Sequence, residues 1–229
     1  MSKKNSDKVE ERVEGIEQAL SKAEQLIEKY QKEIIKVVGG VLLIVLLFIL
    51  FRNYYFEKRK EEAATQMFPA QQHFGSENWE SALVGDGNDL GFVEIISDYR
   101  FTPSANLAKY YAGICCLRLG DYEEAIEYLS KFKSKDIILS SIALGGIGDA
   151  YAQLGAPDKA IGFYRRAAER NSNDFTTPLY LLRAGVLLES EGRFKEAVEL
   201  YERIKNDYAL STEGRTIDKY IARVKAKAD

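Results

Sequence analysis

Apolar residues follow three different rhythms along the chain. Val9, Val13, Ile16, Leu20, Ala23, Ile27, Tyr30 and Ile34 alternate steps of 4 and 3, with charges at most positions between them. A 3.5-residue period predicts a helix over residues 1–33 with a coiled-coil-like seam, made for a partner helix and fit for a homodimer through residues 9–34. The other reading is an amphipathic helix lying on a membrane surface; the mixture of lysine and glutamate on the polar side leans toward the partner helix. Residues 37–51 then form an unbroken run of apolar residues and glycine, extended upstream by Ile34 and Ile35 across Lys36 and followed by Tyr54, Tyr55 and Phe56. The 18 residues from 34 to 51 approach a hydrocarbon core of roughly 30 Å. Lys36 can snorkel, and the tyrosines suit an interface. A transmembrane anchor is predicted over residues 34–56. The alternative, a buried core helix, fits less well with charged flanks and no polar stripe. Val37, Val41 and Ile44 keep the seam in phase, so the two segments read as one continuous helix.

The third rhythm is a repeat. Gly113, Gly148 and Gly185 are each followed seven residues on by a second glycine (Gly120, Gly155, Gly192), two further on by Tyr122, Pro157 or Phe194, and three further on by Ala125, Ala160 or Ala197. The copies are offset by 35 and 37 residues. A fixed period in this range means stacked units, none of which buries its apolar face alone. Each copy reads as two helices joined by a tight turn at the second glycine. Leu144, Ile147, Gly148 and Tyr151 share one face of the first helix. A mid-helix glycine costs about 1 kcal/mol against alanine, so its recurrence points to close helix approach, with Leu129, Tyr164 and Tyr201 filling the space.

A degenerate unit precedes the array over residues 57–103: residues 78–83 match 121–126, the second helix is broken by an insertion at residues 85–89, and helical signal resumes over 90–99 through Phe92, Val93, Ile95 and Ile96. Residues 104–211 hold the three regular units. Residues 212–228, with Ile217, Tyr220, Ile221 and Val224 on one side and charges on the other, read as a capping helix with the polar outer face a terminal unit needs. The predicted fold class is all-α.

The repeat resembles the tetratricopeptide repeat, W-x2-L-G-x2-Y followed by A-x3-F. The leading aromatic position is Lys109, Leu144 and Leu181; the Leu-Gly pair is Ala112-Gly113, Ile147-Gly148 and Ala184-Gly185; the Tyr position is Cys116, Tyr151 and Leu188. Pro103 and Pro178 open following units, as proline at a helix start can. The resemblance implies an α-solenoid with a concave face built from the first helix of each unit. Candidate groove residues are then Leu107, Tyr110, Ile114, Arg118, Asp149, Gln153, Leu182, Val186 and Glu189, a mix that suits an extended or helical peptide. The competing reading is that several of them pack between helices.

Charge divides the chain. Residues 1–60 hold 12 basic and 9 acidic groups (+3), and residues 61–229 hold 20 and 26 (−6). An acidic domain without a basic stripe argues against nucleic acid. Charge does not orient the span: residues 22–36 carry four lysines, and residues 52–66 carry Arg52, Lys58, Arg59 and Lys60. The charged stretch before the apolar run is too long for a signal-peptide n-region, no small-x-small cleavage site follows, and no lipidation cysteine lies nearby, so the span reads as retained. Adjacent helical cysteines, Cys115 and Cys116, point about 100° apart and read as packing residues, unsuited to a disulfide or a metal pair. His73 is the only histidine. The 145–148 glycine cluster lacks the strand a phosphate loop needs, and Asp86-x-Asn88 lacks carboxylates at positions five and twelve of a calcium loop. No cofactor, metal or catalytic set is expected, and the protein is read as a non-enzyme.

The layout of N-terminal helix, single span and C-terminal repeats, with residues 106–113 (NLAKYYAG), resembles the bacterial membrane-anchored family that includes the ancillary subunit of the SecYEG translocon. That resemblance implies an inner-membrane protein with a cytoplasmic N-terminus and periplasmic repeats, and translocon subunits and periplasmic chaperones as partners. The insertion at 85–89 departs from a regular array. The reading reached is a membrane-tethered, non-catalytic protein–protein interaction scaffold that aids secretion or folding of envelope proteins. The alternative is a structural assembly factor of an envelope complex that acts through its N-terminal coil.

Overall fold

The computed structural model describes the backbone of residues 3–228 and the side chains of residues 20–21, 30–33 and 35–227. Among the described residues every regular element is helical: α1 (Lys3–Gly75), α2 (Trp79–Val84), α3 (Phe92–Asp98), α4 (Pro103–Leu119), α5 (Tyr122–Lys131), α6 (Ile137–Gln153), α7 (Pro157–Glu169), α8 (Thr176–Ser190), α9 (Phe194–Asp207), a 3-10 turn at Gly214–Thr216, and α10 (Ile217–Ala228). The chain divides into two compact units, Met1–Glu57 and Lys58–Asp229.

The first unit is helical throughout its described length. Its apolar run is solvent-facing, from 43% exposed at Ile49 to 69% at Phe51, and the stretch is long and apolar enough to cross a membrane, with none of it buried inside the protein. The buried-core-helix alternative therefore finds no core here. Of the heptad seam, the side chains of Val9, Val13, Ile16, Ala23, Ile27 and Ile34 lie outside the described residues, and so does the proposed dimer seam.

In the second unit, consecutive helices pack as antiparallel neighbours joined by short connections, α4 on α5, α5 on α6, and so on to α10. The repeated glycines explain the closeness. A Cβ on Gly113 would sit 2.5 Å from Leu129 Cγ, on Gly148 2.7 Å from the Tyr164 ring, and on Gly185 2.3 Å from Tyr201 Cε1. The three filling side chains are buried, as are Ala125, Ala160 and Ala197 at the crossings. The second glycine of each copy ends the first helix in the left-handed region, with φ of 94° at Gly120, 69° at Gly155 and 72° at Gly192, a conformation costly for a residue with a Cβ.

The degenerate unit is built the same way from different residues. Ala63, Met67 and Ala70 of α1 pack with Ala82, Leu83, Phe92, Ile95 and Tyr99 in one buried cluster. Its turn uses Glu77, with φ 60°, at the place the glycines hold elsewhere. The insertion at 85–89 is a closed loop: Asp86 Oδ1 accepts from the Asn88 and Asp89 amides, each at 2.9 Å, and these bonds hold the Asp86 carboxyl below its ordinary range. The Gly91 amide donates to Glu94 Oε2 at 3.1 Å, restarting the helix as α3.

At the other end, helix formation begins at Ile217 rather than near 212. Gly214 lies against the 208–209 backbone, where a Cβ would stand 2.1 Å from Tyr208 O, so residues 208–216 turn before α10 starts. Ile217, Ile221 and Val224 then close the core.

Candidate functional site

Five of the nine groove candidates come together. Tyr110, Ile114 and Arg118 of α4 and Asp149 and Gln153 of α6 line one cleft of about 420 Å³, with Leu117, Tyr122, Ile142, Tyr180 and Arg183 completing it. The α4 residues stand at steps of four, and the two α6 residues likewise, so each set shares a helix face. Tyr180 reaches the cleft because Gly145 has no Cβ: one added there would lie 2.0 Å from the Tyr180 ring. Arg183 Nη1 donates to both oxygens of Asp149, at 2.6 Å to Oδ2, and Tyr164 OH donates to Asp149 Oδ1 at 2.8 Å. One carboxylate thus binds α6 to α7 and to α8. Burial, with the Asp149 charge beside it, pushes the Tyr164 phenol well above its ordinary pKa; burial does the same for Tyr180. Both rings stay neutral donors at physiological pH.

The other four candidates lie elsewhere. Leu107 is half-buried against the cluster of the degenerate unit, and Leu182 packs on the C-terminal cluster. Val186 is 42% exposed and lines no part of the cleft. Glu189 is buried: it accepts from Arg223 Nε at 2.9 Å and Nη2 at 2.7 Å and from Lys227 at 2.9 Å, with Tyr201 OH 3.4 Å away. The register explains this. Arg118 and Gln153 stand five residues after Gly113 and Gly148, whereas Glu189 stands four after Gly185. One residue is about 100° of helix rotation, enough to turn the side chain from the groove into the α8–α10 contact. Tyr180, Arg183 and Tyr122 escaped the sequence reading because tertiary packing brings them in: Tyr180 fills the space left by Gly145, and Arg183 pairs with Asp149, 34 residues away.

The cleft mixes apolar and aromatic side chains with Arg118, Asp149, Gln153 and Arg183, and most of the surface it exposes is polar, so it can meet both the apolar and the polar groups of a chain segment. A larger cleft of about 800 Å³ opens between the C-terminal ends of α5 and α7 and the start of α6, lined by Phe132, Lys133, Leu144, Phe163, Arg166 and Arg170 among others. Cys115 and Cys116 are fully buried, and burial pushes each thiol up to about 12. The His73 ring lies 3.6 Å from Asp86. Among the described residues, no group of three or more His, Cys, Asp or Glu is placed to hold a metal ion.

Two sequence models of the tetratricopeptide repeat match this array, one over residues 93–136 and 139–175, the other over 180–211. These units are tetratricopeptide repeats. The matched segments take in residues of α4 to α9, among them α4, α5, α6 and α8, which line the cleft. No curated protein matches the chain. Among solved structures, the crystal structure of MamA protein is similar over 73% of this chain and 90% of that one, with a TM-score of 0.51 and 20% identity, a likeness of fold. Tetratricopeptide repeats mediate binding to other proteins, and the chain carries such a scaffold.

Proposed function

We propose that the protein is a membrane-tethered scaffold whose α4–α6–α8 groove holds a segment of a client or partner protein at the membrane during secretion or folding. The carrying observation is the convergence of Tyr110, Ile114, Arg118, Asp149 and Gln153 on one cleft in a chain that also has an unburied apolar stretch long enough to span a bilayer. Tethering raises the effective concentration of a weak groove for anything emerging at the same membrane. By the family resemblance, the N-terminus is cytoplasmic, the repeats face the periplasm of a bacterial inner membrane, and the partners are translocon subunits and periplasmic chaperones.

Reporter fusions at each terminus test the topology. A photo-crosslinking residue at Gln153, introduced into the full chain in intact membranes, tests the partner. Capture of translocon or chaperone subunits is expected. A cytoplasmic repeat domain, or a normally expressed chain that captures neither, overturns the reading.

The heptad from Val9 to Ile34 favours a second role, assembly of an envelope complex through the N-terminal coil. Deleting residues 1–33 separates the two: self-association is lost while crosslinking at Gln153 persists.

A further inference from the structure

Helices in the Lys58–Asp229 unit alternate in direction, so the connections α3–α4, α5–α6, α7–α8 and α9–α10 all fall on one edge, opposite the glycine turns. Hydrogen bonds confirm that three of these connections adjoin their neighbours on that edge. Arg59 donates to the Asp98 carbonyl and lies 5.1 Å over the Tyr99 ring. Asn106, at the start of α4, donates to Lys133 O at 2.7 Å and accepts from Lys133 N at 3.2 Å. Asn171, between α7 and α8, donates to Ser140 Oγ near the start of α6 at 3.3 Å.

Each of the four connections exposes a large apolar side chain at its tip or at the first residues of the next helix: Phe101 (83%), Ile137 and Ile138 (51% and 43%), Phe175 (64%) and Leu210 (87%). Among the described residues of this unit, Leu210, Phe101 and Phe175 are the three most exposed large apolar side chains. Isolated exposed apolar residues are ordinary; one per repeat on a single edge is not. The opposite edge exposes its large apolar side chains less, Leu119 at 42% and Leu154 at 38%, and carries ion pairs, with Arg193 bonded to Asp158 at 2.8 Å and to Glu196 at 2.7 Å. None of the tips belongs to the groove described above.

The row begins where the chain enters the unit. Arg59 is two residues past Glu57, fixed on the connection that carries Phe101, and the candidate span at residues 34–56 ends just before it in sequence. We infer that this edge is a lipid-docking edge: Phe101, Ile137, Ile138, Phe175 and Leu210 insert among the headgroups of the membrane that holds the anchor. The inference rests on the membrane-tether reading above. Basic groups accompany the tips, with Arg100 5.9 Å from the centroid of the Phe101 ring, but Asp98, Asp136 and Asp174 stand on the same connections. The contact is therefore apolar insertion, and neutral phosphatidylcholine suffices.

The test uses the full chain in phosphatidylcholine vesicles. Single variants F101C, I138C, F175C and L210C carry an environment-sensitive fluorophore; D158C reports the opposite edge and L46C the span. Cys115 and Cys116 are fully buried and stay unlabelled. The expected result is loss of fluorescence to headgroup nitroxides at all four row positions and none at 158. Quenching at 46 by acyl-chain nitroxides without quenching along the row overturns the lipid edge and leaves the anchor standing. No quenching at 46 overturns the anchor and this inference with it. Shielding along the row that vanishes on diluting protein into more lipid assigns the edge to a second copy of the chain and overturns the inference.

Discussion

The guanidinium of Arg223 on α10 forks onto the buried Glu189 carboxylate of α8, with Nε 2.9 Å from Oε1 and Nη2 2.7 Å from Oε2. Two parallel charge-assisted bonds fix the cap against the last repeat. They also hold the Glu189 carboxyl below its ordinary pKa, with Lys227 adding to the effect. Its stabilisation is therefore complete above the unfolded value near ~4.3 and is lost as pH falls through the lower folded value. Arg223→Ala should destabilise by about 1–2 kcal/mol, since Lys227 remains and the arginine is partly solvated. It should also flatten the acid limb of the stability profile. Denaturant titrations of the full chain in detergent, repeated from neutral to acidic pH, check both; an unchanged acid limb would show that Glu189 is not the linked group.

Two glycines should respond to alanine in opposite directions. At Gly185 the new Cβ meets the fully buried Tyr201 ring at 2.3 Å, and overpacking of this kind costs about 1–3 kcal/mol. At Gly162, inside α7, nothing lies within 4 Å, so alanine contributes its helix preference, about 1 kcal/mol. Thermal melts of Gly185→Ala and Gly162→Ala should move apart, the first downward and the second upward.

Glu77 sits in the left-handed region at φ 60°, where side chains with a Cβ are disfavoured by roughly 1–2 kcal/mol. Part of that gain is offset by the greater freedom of glycine in the unfolded chain. Glu77→Gly should stabilise the unit by about 0.5–1 kcal/mol, read as a rise in denaturation midpoint. A fall would mean that the side chain contributes more than its strain costs.

Arg118 lines the groove and is exposed; its guanidinium stands 5.7 Å over Trp79. Arg118→Glu should change stability by no more than about 1 kcal/mol, the loss of one exposed cation–π contact. Crosslinking from Gln153 should nevertheless fall sharply. Equal crosslinking yield with and without the charge reversal would place the partner outside this cleft.

The repeat was legible because its spacing is a packing rule written in sequence. Gly113, Gly148 and Gly185 mark where helices touch, and Leu129, Tyr164 and Tyr201 fill those gaps as the four-residue step from each alanine implied. The all-α class, the broken second helix around residues 85–89 and the apolar stretch before the array were equally open to a one-dimensional reading, since each depends on local periodicity alone. Tertiary structure decided which polar side chains reach the groove. Asp149 is fixed by partners 15 and 34 residues away, Glu189 is turned inward by a single residue of helical register, and Tyr180 enters the cleft only because Gly145 on another helix leaves it room. Likewise the apolar tips from Phe101 to Leu210 are unremarkable one by one in the sequence. Alternating helix direction brings them to a common edge, because antiparallel packing gathers every second connection on the same side.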